Sequence, residues 1–258
     1  MAVSRVGTGP NLVLLHGWGM NSAVFQELVD ALQQQYCCSL IDLPGFGDQP
    51  ECEAASSIDA WLEQLLPQLP ERAIWLGWSL GGLLVQRAAQ CYPERIIGQL
   101  LVASSPYFQA VTQQSWRGIK PEVLALFAEQ LSHDPNQTIE RFLAIQAMGS
   151  ETLKSDIKSL RAQVLSKPSP SQSALADGLS FLAKVDYRNV DTLSQPPAAW
   201  LLGRKDGLVP KALATWLREY RPHQPVTVFA ASSHAPFISQ LGDTVDWIVD
   251  ASTGFDTE

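Results

Sequence analysis

A series of short apolar runs, each followed by a turn and most by a stretch of helical spacing, limits this chain more than any other feature. The runs cover residues 12–15, 39–41, 73–76, 97–103, 198–202 and 226–229. Runs this short and this apolar read as strands buried on both faces, which is the habit of a parallel sheet. Between the first two, Asn21 is a helix N-cap for residues 21–35, with Val24, Leu28, Val29 and Leu32 on one face. Helices are also predicted over 58–66 and 83–90, the latter after a glycine-rich turn at 77–82. Strand and helix in alternation build a mostly parallel α/β sheet covered by helices on both faces. The alternation stops near residue 110. From there to 184 only helical patterns occur, at 121–131, 137–148 and 151–165, the last stopped by Pro168-Ser-Pro170. The expectation is an α/β core made of residues 1–109 and 185–258, interrupted by an all-helical insertion, 110–184.

Composition removes several alternatives. Hydrophobic residues are 46% and charged residues 17%, too apolar for a disordered chain. No apolar run approaches the ~20 residues of a membrane span, and the first residues lack the apolar stretch of a secretory signal. A cytoplasmic monomer with no membrane partner is expected. The net charge is -8, which argues against nucleic acid. That charge is uneven: residues 110–184 hold eight Lys/Arg and seven Asp/Glu, so the insertion is slightly basic within an acidic chain. Cys37, Cys38, Cys52 and Cys91 have no metal-ligand spacing and read as reduced thiols. There is no GxGxxG, phosphate-binding loop, HExxH or EF-hand pattern, so neither a metal nor an organic cofactor is expected.

The chemistry concentrates at Gly77-Trp-Ser79-Leu-Gly81, between an apolar strand and a helix. A serine there must sit on a tight turn, and glycines two residues either side remove the Cβ atoms that would collide. The helix N-terminus behind it favours developing negative charge. A nucleophilic serine needs a base, and the base an orienting group. His234 is the candidate base, just past the run 226–229. Asp206 is the candidate carboxylate, past the run 198–202. Both would then share with Ser79 the carboxyl edge of a parallel sheet. His133 and His223 lie in polar surroundings, and His16 is expected to hold the His16-Gly-Trp-Gly19 turn by hydrogen bonds. Asp42 reads as a turn former. The two oxyanion donors expected are the N–H groups of Leu80 and Trp18.

These residues resemble the α/β-hydrolase superfamily with a helical cap. The order Ser79, Asp206, His234 is the superfamily's order. More closely, LVLLHGWGMN, IDLPGFG, AIWLGWSLGGL, WRGIKPEVL, ERFLAIQAMGSET, KDGLVP and SHAPFIS resemble the pimeloyl-acyl-carrier-protein methyl ester esterases of biotin synthesis. The resemblance implies a serine carboxylesterase with catalytic Ser79, Asp206 and His234. It also implies substrate contacts from Trp18, Ser79, Leu80, His234 and the stretch Phe142, Leu143, Ala144, Ile145 and Gln146. Docking of an acidic carrier protein on the cap would fall to Arg141, Lys154 and Lys158, while Gln137 stands where the family has a further arginine. Lys154 and Lys158 share a helix face by spacing alone. Taken without the resemblance, that stripe also reads as a solvated face, and 142–148 as helix core. A broad short-chain esterase, a carbon–carbon bond lyase on the same fold, or a non-catalytic binding protein remain as other readings.

Overall fold

The computed structural model describes residues 3–52, 57–149 and 152–255. In chain order the sheet strands are β1 (Val3–Val6), β2 (Asn11–Leu15), β3 (Cys37–Ile41), β4 (Ala73–Trp78), β5 (Ile96–Val102), β6 (Ala198–Gly203) and β7 (Val226–Phe229). The helices are α1 (Gln26–Leu32), α2 (Ile58–Leu65), α3 (Leu80–Cys91), α4 (Pro121–His133), α5 (Pro135–Ala147), α6 (Leu153–Val164), α7 (Gln172–Lys184), α8 (Ala212–Tyr220), α9 (Pro236–Ser239) and α10 (Leu241–Thr253). The strands form one sheet in the order β1-β3-β2-β4-β5-β6-β7. All neighbours run parallel except β1, which is antiparallel to β3 at the edge.

The apolar runs become strands because each is buried on both faces. Every residue of β4 and β6 is buried, and the core side chains on either side include Trp75, Trp78 and Trp200. β1 is the strand the apolar pattern does not announce: Ser4 and Arg5 at its centre are exposed, and only its ends are half-buried. Asn21 caps as expected, accepting from the Ala23 N–H at 3.0 Å, although the chain first makes a 3-10 turn, Ser22–Phe25, before α1.

α3 begins at Leu80, three residues earlier than its apolar spacing suggests. Gly81 and Gly82 weaken a helix by local propensity, but packing demands them here. A Cβ on Gly81 would stand 2.2 Å from the Leu15 carbonyl, and one on Gly82 2.3 Å from Ser104 Oγ. Tertiary contact therefore overrides propensity.

Helices α4 to α7 all lie between β5 and β6 in sequence. They cross the carboxyl edge of the sheet and are fastened to it at two ends. At one end, Asn21 Nδ2 donates to the Val164 carbonyl (3.0 Å) and Lys167 Nζ to Asp42 Oδ2 (2.8 Å). At the other, the single Ser233 hydroxyl proton is shared between the carbonyls of Met148 (2.7 Å) and Gln146 (2.9 Å), and the His234 N–H donates to that of Gln146 (3.2 Å). Residue 151, the expected start of α6, lies outside the described residues. Among those described, no helix is long and apolar enough to cross a membrane.

Candidate active site

Ser79 sits between β4 and α3 with φ 54° and ψ -117°, a backbone conformation that is costly for a residue with a Cβ. Its surroundings hold it there. The Ser79 N–H donates to the Val102 carbonyl at 3.0 Å, and Ser104 Oγ donates to the Ser79 carbonyl at 2.9 Å. A Cβ on Gly77 would come within 2.6 Å of Gly81 and Gly82. The glycines flanking the serine are thus required by close approach, as the motif implies.

The structure brings Ser79, His234 and Asp206 into one hydrogen-bonded line. Ser79 Oγ lies 2.9 Å from His234 Nε2, and His234 Nδ1 lies 2.8 Å from Asp206 Oδ2. Asp206 also accepts at Oδ1 from the N–H groups of Leu208 (2.8 Å) and Val209 (3.0 Å). An ionised carboxylate only accepts, so Nδ1 carries the imidazole proton and Nε2 accepts from the serine hydroxyl. All three residues are buried.

The loop that carries His234 is held by groups with no obvious signature in sequence. Trp78 Nε1–H donates to the His234 carbonyl at 2.7 Å, so the variable residue of the serine motif anchors the His234 loop. Its ring also packs on Phe237, centroids 5.0 Å apart. The carbonyls of Gln146 and Met148, at and just beyond the end of α5, complete the clasp. Only the indole of Trp78 leaves a trace in the sequence, as a large hydrogen-bonding side chain where any residue would satisfy the motif.

Trp18 and Leu80 lie beside the serine. A Cβ on Gly17 would be 3.2 Å from Ser79 Cβ, so the 16–19 turn runs against it. Among the described residues the N–H groups of Trp18 and Leu80 have no hydrogen-bond partner. The indole of Trp18 donates to the Leu175 carbonyl at 2.7 Å, tying α7 to the turn. Gly178 on α7 fits between Trp18 and Leu80: its Cβ would stand 2.7 Å from Trp18 Cδ1 and 3.0 Å from Leu80 Cδ2.

α5 supplies the expected apolar stretch unevenly. Phe142 is buried edge-on to Trp18, centroids 4.8 Å apart, and also packs on Phe127. Leu143 and Gln146 are buried, Ile145 is half-buried and Ala144 is exposed. Gln146 Oε1 is buried with no hydrogen-bond partner among the described residues. Arg141 on α5 and Lys154 and Lys158 on α6 are exposed, and none has an ion pair among the described residues. Arg161, further along α6, is paired with Glu140 at 2.9 Å.

His16 is placed elsewhere. Its Nδ1–H donates to the Gly17 carbonyl at 2.8 Å, and Nε2 accepts from the Leu43 N–H at 3.0 Å. Burial lowers its pKa to about 4. Asp42 accepts from the N–H groups of Ser22 (2.7 Å) and Asp48 (3.0 Å) and from Lys167. Burial opposes its charge, but the field of His16 and the three donors outweigh it and hold the carboxyl below its ordinary range. At neutral pH, with His16 uncharged, the three donors carry that effect. Among the described residues no group of His, Cys, Asp and Glu is arranged to hold a metal ion.

A serine at a strand–helix turn, hydrogen-bonded to a histidine and through it to a carboxylate on a parallel sheet, defines the α/β hydrolases. The alpha/beta hydrolase family model matches residues 12–247. The chain is 47% identical to the pimeloyl-[acyl-carrier protein] methyl ester esterase of Aliivibrio fischeri (strain MJ11), over 90% of each chain. It is 48% identical to that of Shewanella oneidensis, over 92% of this chain and 89% of the relative. It therefore belongs to the alpha/beta hydrolase family and, within it, to the pimeloyl-[acyl-carrier protein] methyl ester esterases. An esterase from Exiguobacterium antarcticum has the same fold, with a TM-score of 0.85 at 18% identity, covering 97% of this chain and 94% of its own. A bromoperoxidase from Bacillus anthracis is similar at 0.83 and 20%, with coverage of 97% and 94%.

Proposed function

We propose that this chain hydrolyses the methyl ester of a pimeloyl group carried on acyl-carrier protein, giving pimeloyl-carrier and methanol for biotin synthesis, as a cytoplasmic monomer. The observation that carries the reading is the line Ser79–His234–Asp206, with both contacts at hydrogen-bond length. The names borne by relatives near half-identity supply the substrate.

In this reading Ser79 Oγ attacks the ester carbonyl as His234 Nε2 takes its proton. Asp206 keeps the ring in the right tautomer and stabilises the imidazolium. The oxyanion is received by the unpartnered N–H groups of Leu80 and Trp18. His234 then protonates the departing methoxide. Water, activated by the same nitrogen, releases the acyl group from Ser79. Trp18 and Leu80, with Phe142, Leu143, Ala144, Ile145 and Gln146, form the acyl wall in this scheme, and helices α4 to α7 act as the cap. Ser79 is 2% exposed, so in this reading the ester carbonyl reacts away from bulk water. Arg141, Lys154 and Lys158 receive the acidic carrier.

The test is methanol release from the pimeloyl-carrier methyl ester, together with growth of a biotin-requiring strain that lacks this esterase. The native chain is expected to restore growth. Ser79→Ala is expected to fold normally and lose about 10⁴-fold or more in turnover, the scale of losing a triad member. A native chain that releases no methanol from this ester, or a folded Ser79→Ala protein with near-native turnover, overturns the reading.

A further inference from the structure

Beside the site, a strongly charged concave surface lies mostly on the core, on the outer side of Asp206. A groove of about 550 Å³ is lined by Arg117, Arg204, Lys205, Asp206, Pro210, Lys211 and Ala230. Four of these residues are cations and one is a carboxylate. The Asp206 carboxylate is turned inward, committed to His234 and to two backbone N–H groups. Arg117, Arg204 and Lys211 are exposed and have no ion pair among the described residues. Lys211 is also the N-cap residue of α8, so the positive end of that helix faces the same groove. In a chain of net charge -8, three exposed cations clustered without an ion pair among the described residues need a reason.

The groove is joined to the helical segment. A Cβ on Gly149 would stand 3.0 Å from the Lys205 carbonyl oxygen, so Gly149 lies directly on the Lys205 backbone. Next to it Met148 is 58% exposed, and Leu153 at the start of α6 is 39% exposed, two large apolar side chains. On its far side follow Lys154 and Lys158 on α6, and Arg141 lies on α5 before it. Basic residues thus flank an apolar pair on two sides, one flank from α5 and α6 and one from Arg117 with Arg204, Lys205 and Lys211 of the core. Apolar anchors within a rim of one charge suit an amphipathic partner of the opposite charge.

We propose that the acidic carrier protein docks across both flanks, with the Arg117, Arg204, Lys205 and Lys211 groove as a second and separate half of its footprint. The proposal rests on the carrier-bound substrate argued above. It adds that docking is shared between the helical segment and a surface beside Asp206 that lies mostly on the core. Charge complementarity of this kind acts chiefly on encounter and is weakened by salt.

The experiment uses Arg204→Ala with Lys211→Ala, two exposed residues with no part in the triad or oxyanion donors. Binding of acyl-carrier protein is titrated in a Ser79→Ala background, which prevents turnover. Turnover of the carrier ester and of a p-nitrophenyl short-chain ester is measured in the active background, each at low and high salt. The Arg141/Lys154/Lys158→Ala triple variant is the reference. The expected result is about tenfold weaker carrier binding at low salt, a matching rise in KM for the carrier ester, a smaller effect at high salt, and unchanged hydrolysis of the small ester. Carrier binding unchanged by the double variant overturns the proposal. So does an equal loss on both esters, or saturable binding of inorganic phosphate in the groove with carrier kinetics intact. Carrier binding that weakens as expected, in a native chain that releases no methanol, would uphold the surface and fault the proposed reaction instead.

Discussion

Two buried histidine–aspartate sets stand at the carboxyl edge of this sheet, and only one is hydrogen-bonded to a serine hydroxyl. His16 and Asp42 follow β2 and β3; His234 and Asp206 lie beyond β7 and β6. Both imidazoles are fully buried. The difference is what occupies the ring nitrogens. Both nitrogens of His16 are matched to backbone groups, Gly17 O and Leu43 N–H. Those partners neither gain nor lose protons, so His16 holds two loops together. His234 has a carboxylate on Nδ1 and a hydroxyl on Nε2. Its second nitrogen therefore faces a group that can give up a proton. The carboxylates differ in the same way. Asp42 spends both oxygens on backbone N–H groups and an ammonium. Asp206 satisfies Oδ1 with backbone and keeps Oδ2 for the ring. Residue type and strand-end position do not separate a structural pair from a reactive one; the hydrogen-bond partners do.

The sharpest way to break this comparison is to make the same change in both sets. In Asp206→Asn, the amide oxygen remains the acceptor for Leu208 and Val209 N–H, which puts the NH₂ against His234 Nδ1. The ring then adopts the other tautomer, and Nε2 no longer accepts from Ser79. The expected loss of kcat is a thousandfold to ten-thousandfold, with little change in stability. Asp42→Asn is expected to leave kcat within a few-fold and to cost roughly 2–4 kcal/mol of unfolding free energy, because it unpairs Lys167 and sets NH₂ against an N–H. Ester turnover and urea unfolding on both variants decide it. A large loss of kcat in stable Asp42→Asn protein would mean that the two sets are not functionally separate.

How much of this was legible beforehand depends on where the information lies. Ser79, Asp206 and His234 are legible because each follows an apolar run and their order matches a known arrangement. Trp78 as the anchor of the His234 loop is not, because the motif leaves its position free. The Gln146 and Met148 carbonyls are not, since every residue has a carbonyl and its direction is a product of packing. β1 is missed because an edge strand needs only half-buried ends, and Val3 and Val6 alone make no apolar run. Leu80 as the start of α3 is missed because propensity speaks against Gly81 and Gly82 until their neighbours are known.

A second, smaller effect separates the histidines by pH. His16 has its pKa lowered from 6.5 to about 4 by burial. Between those values the unfolded chain binds a proton at this residue and the folded chain does not, so stability falls as pH falls from 6.5 towards 4. A shift of this size corresponds to about 3 kcal/mol at the acid end of the window. Asp42, with its pKa lowered, adds its own loss only below the ordinary carboxylate range. Urea unfolding of the native chain and of His16→Gln between pH 7 and pH 4.5 measures the His16 part as their difference in slope. The variant is expected to be less stable at pH 7 but flatter across the window. Parallel slopes would show that His16 takes up a proton in the folded state, against the closed hydrogen bonding described here.

The smallest expected effect concerns Lys167, the one cation in either set. It reaches Asp42 from the segment after α6, with Nζ 2.8 Å from Asp42 Oδ2, 3.2 Å from Asp48 Oδ2 and 3.0 Å from Ser22 Oγ. Burial works against its charge, but the two carboxylates prevail and its pKa is raised. Its side chain is 23% exposed while that of Asp42 is fully buried, so the pair lies between the surface and buried cases. Surface pairs contribute about 0–1 kcal/mol, and breaking a buried one costs about 3–5 kcal/mol. Lys167→Met keeps most of the stem and removes the charge. Asp42 would retain its two N–H donors, so the expected loss is about 1 kcal/mol, shrinking in high salt. Because Lys167 fastens the helical segment to the core at the end away from His234, turnover of a small ester should stay level or rise slightly as the segment loosens. Combining the change with Asp42→Asn should cost less than the two single losses added together, since each removes the same contact. Full additivity would show that Lys167 and Asp42 act separately, and a loss of kcat in the single variant would show that this end of the molecule reaches the chemistry after all.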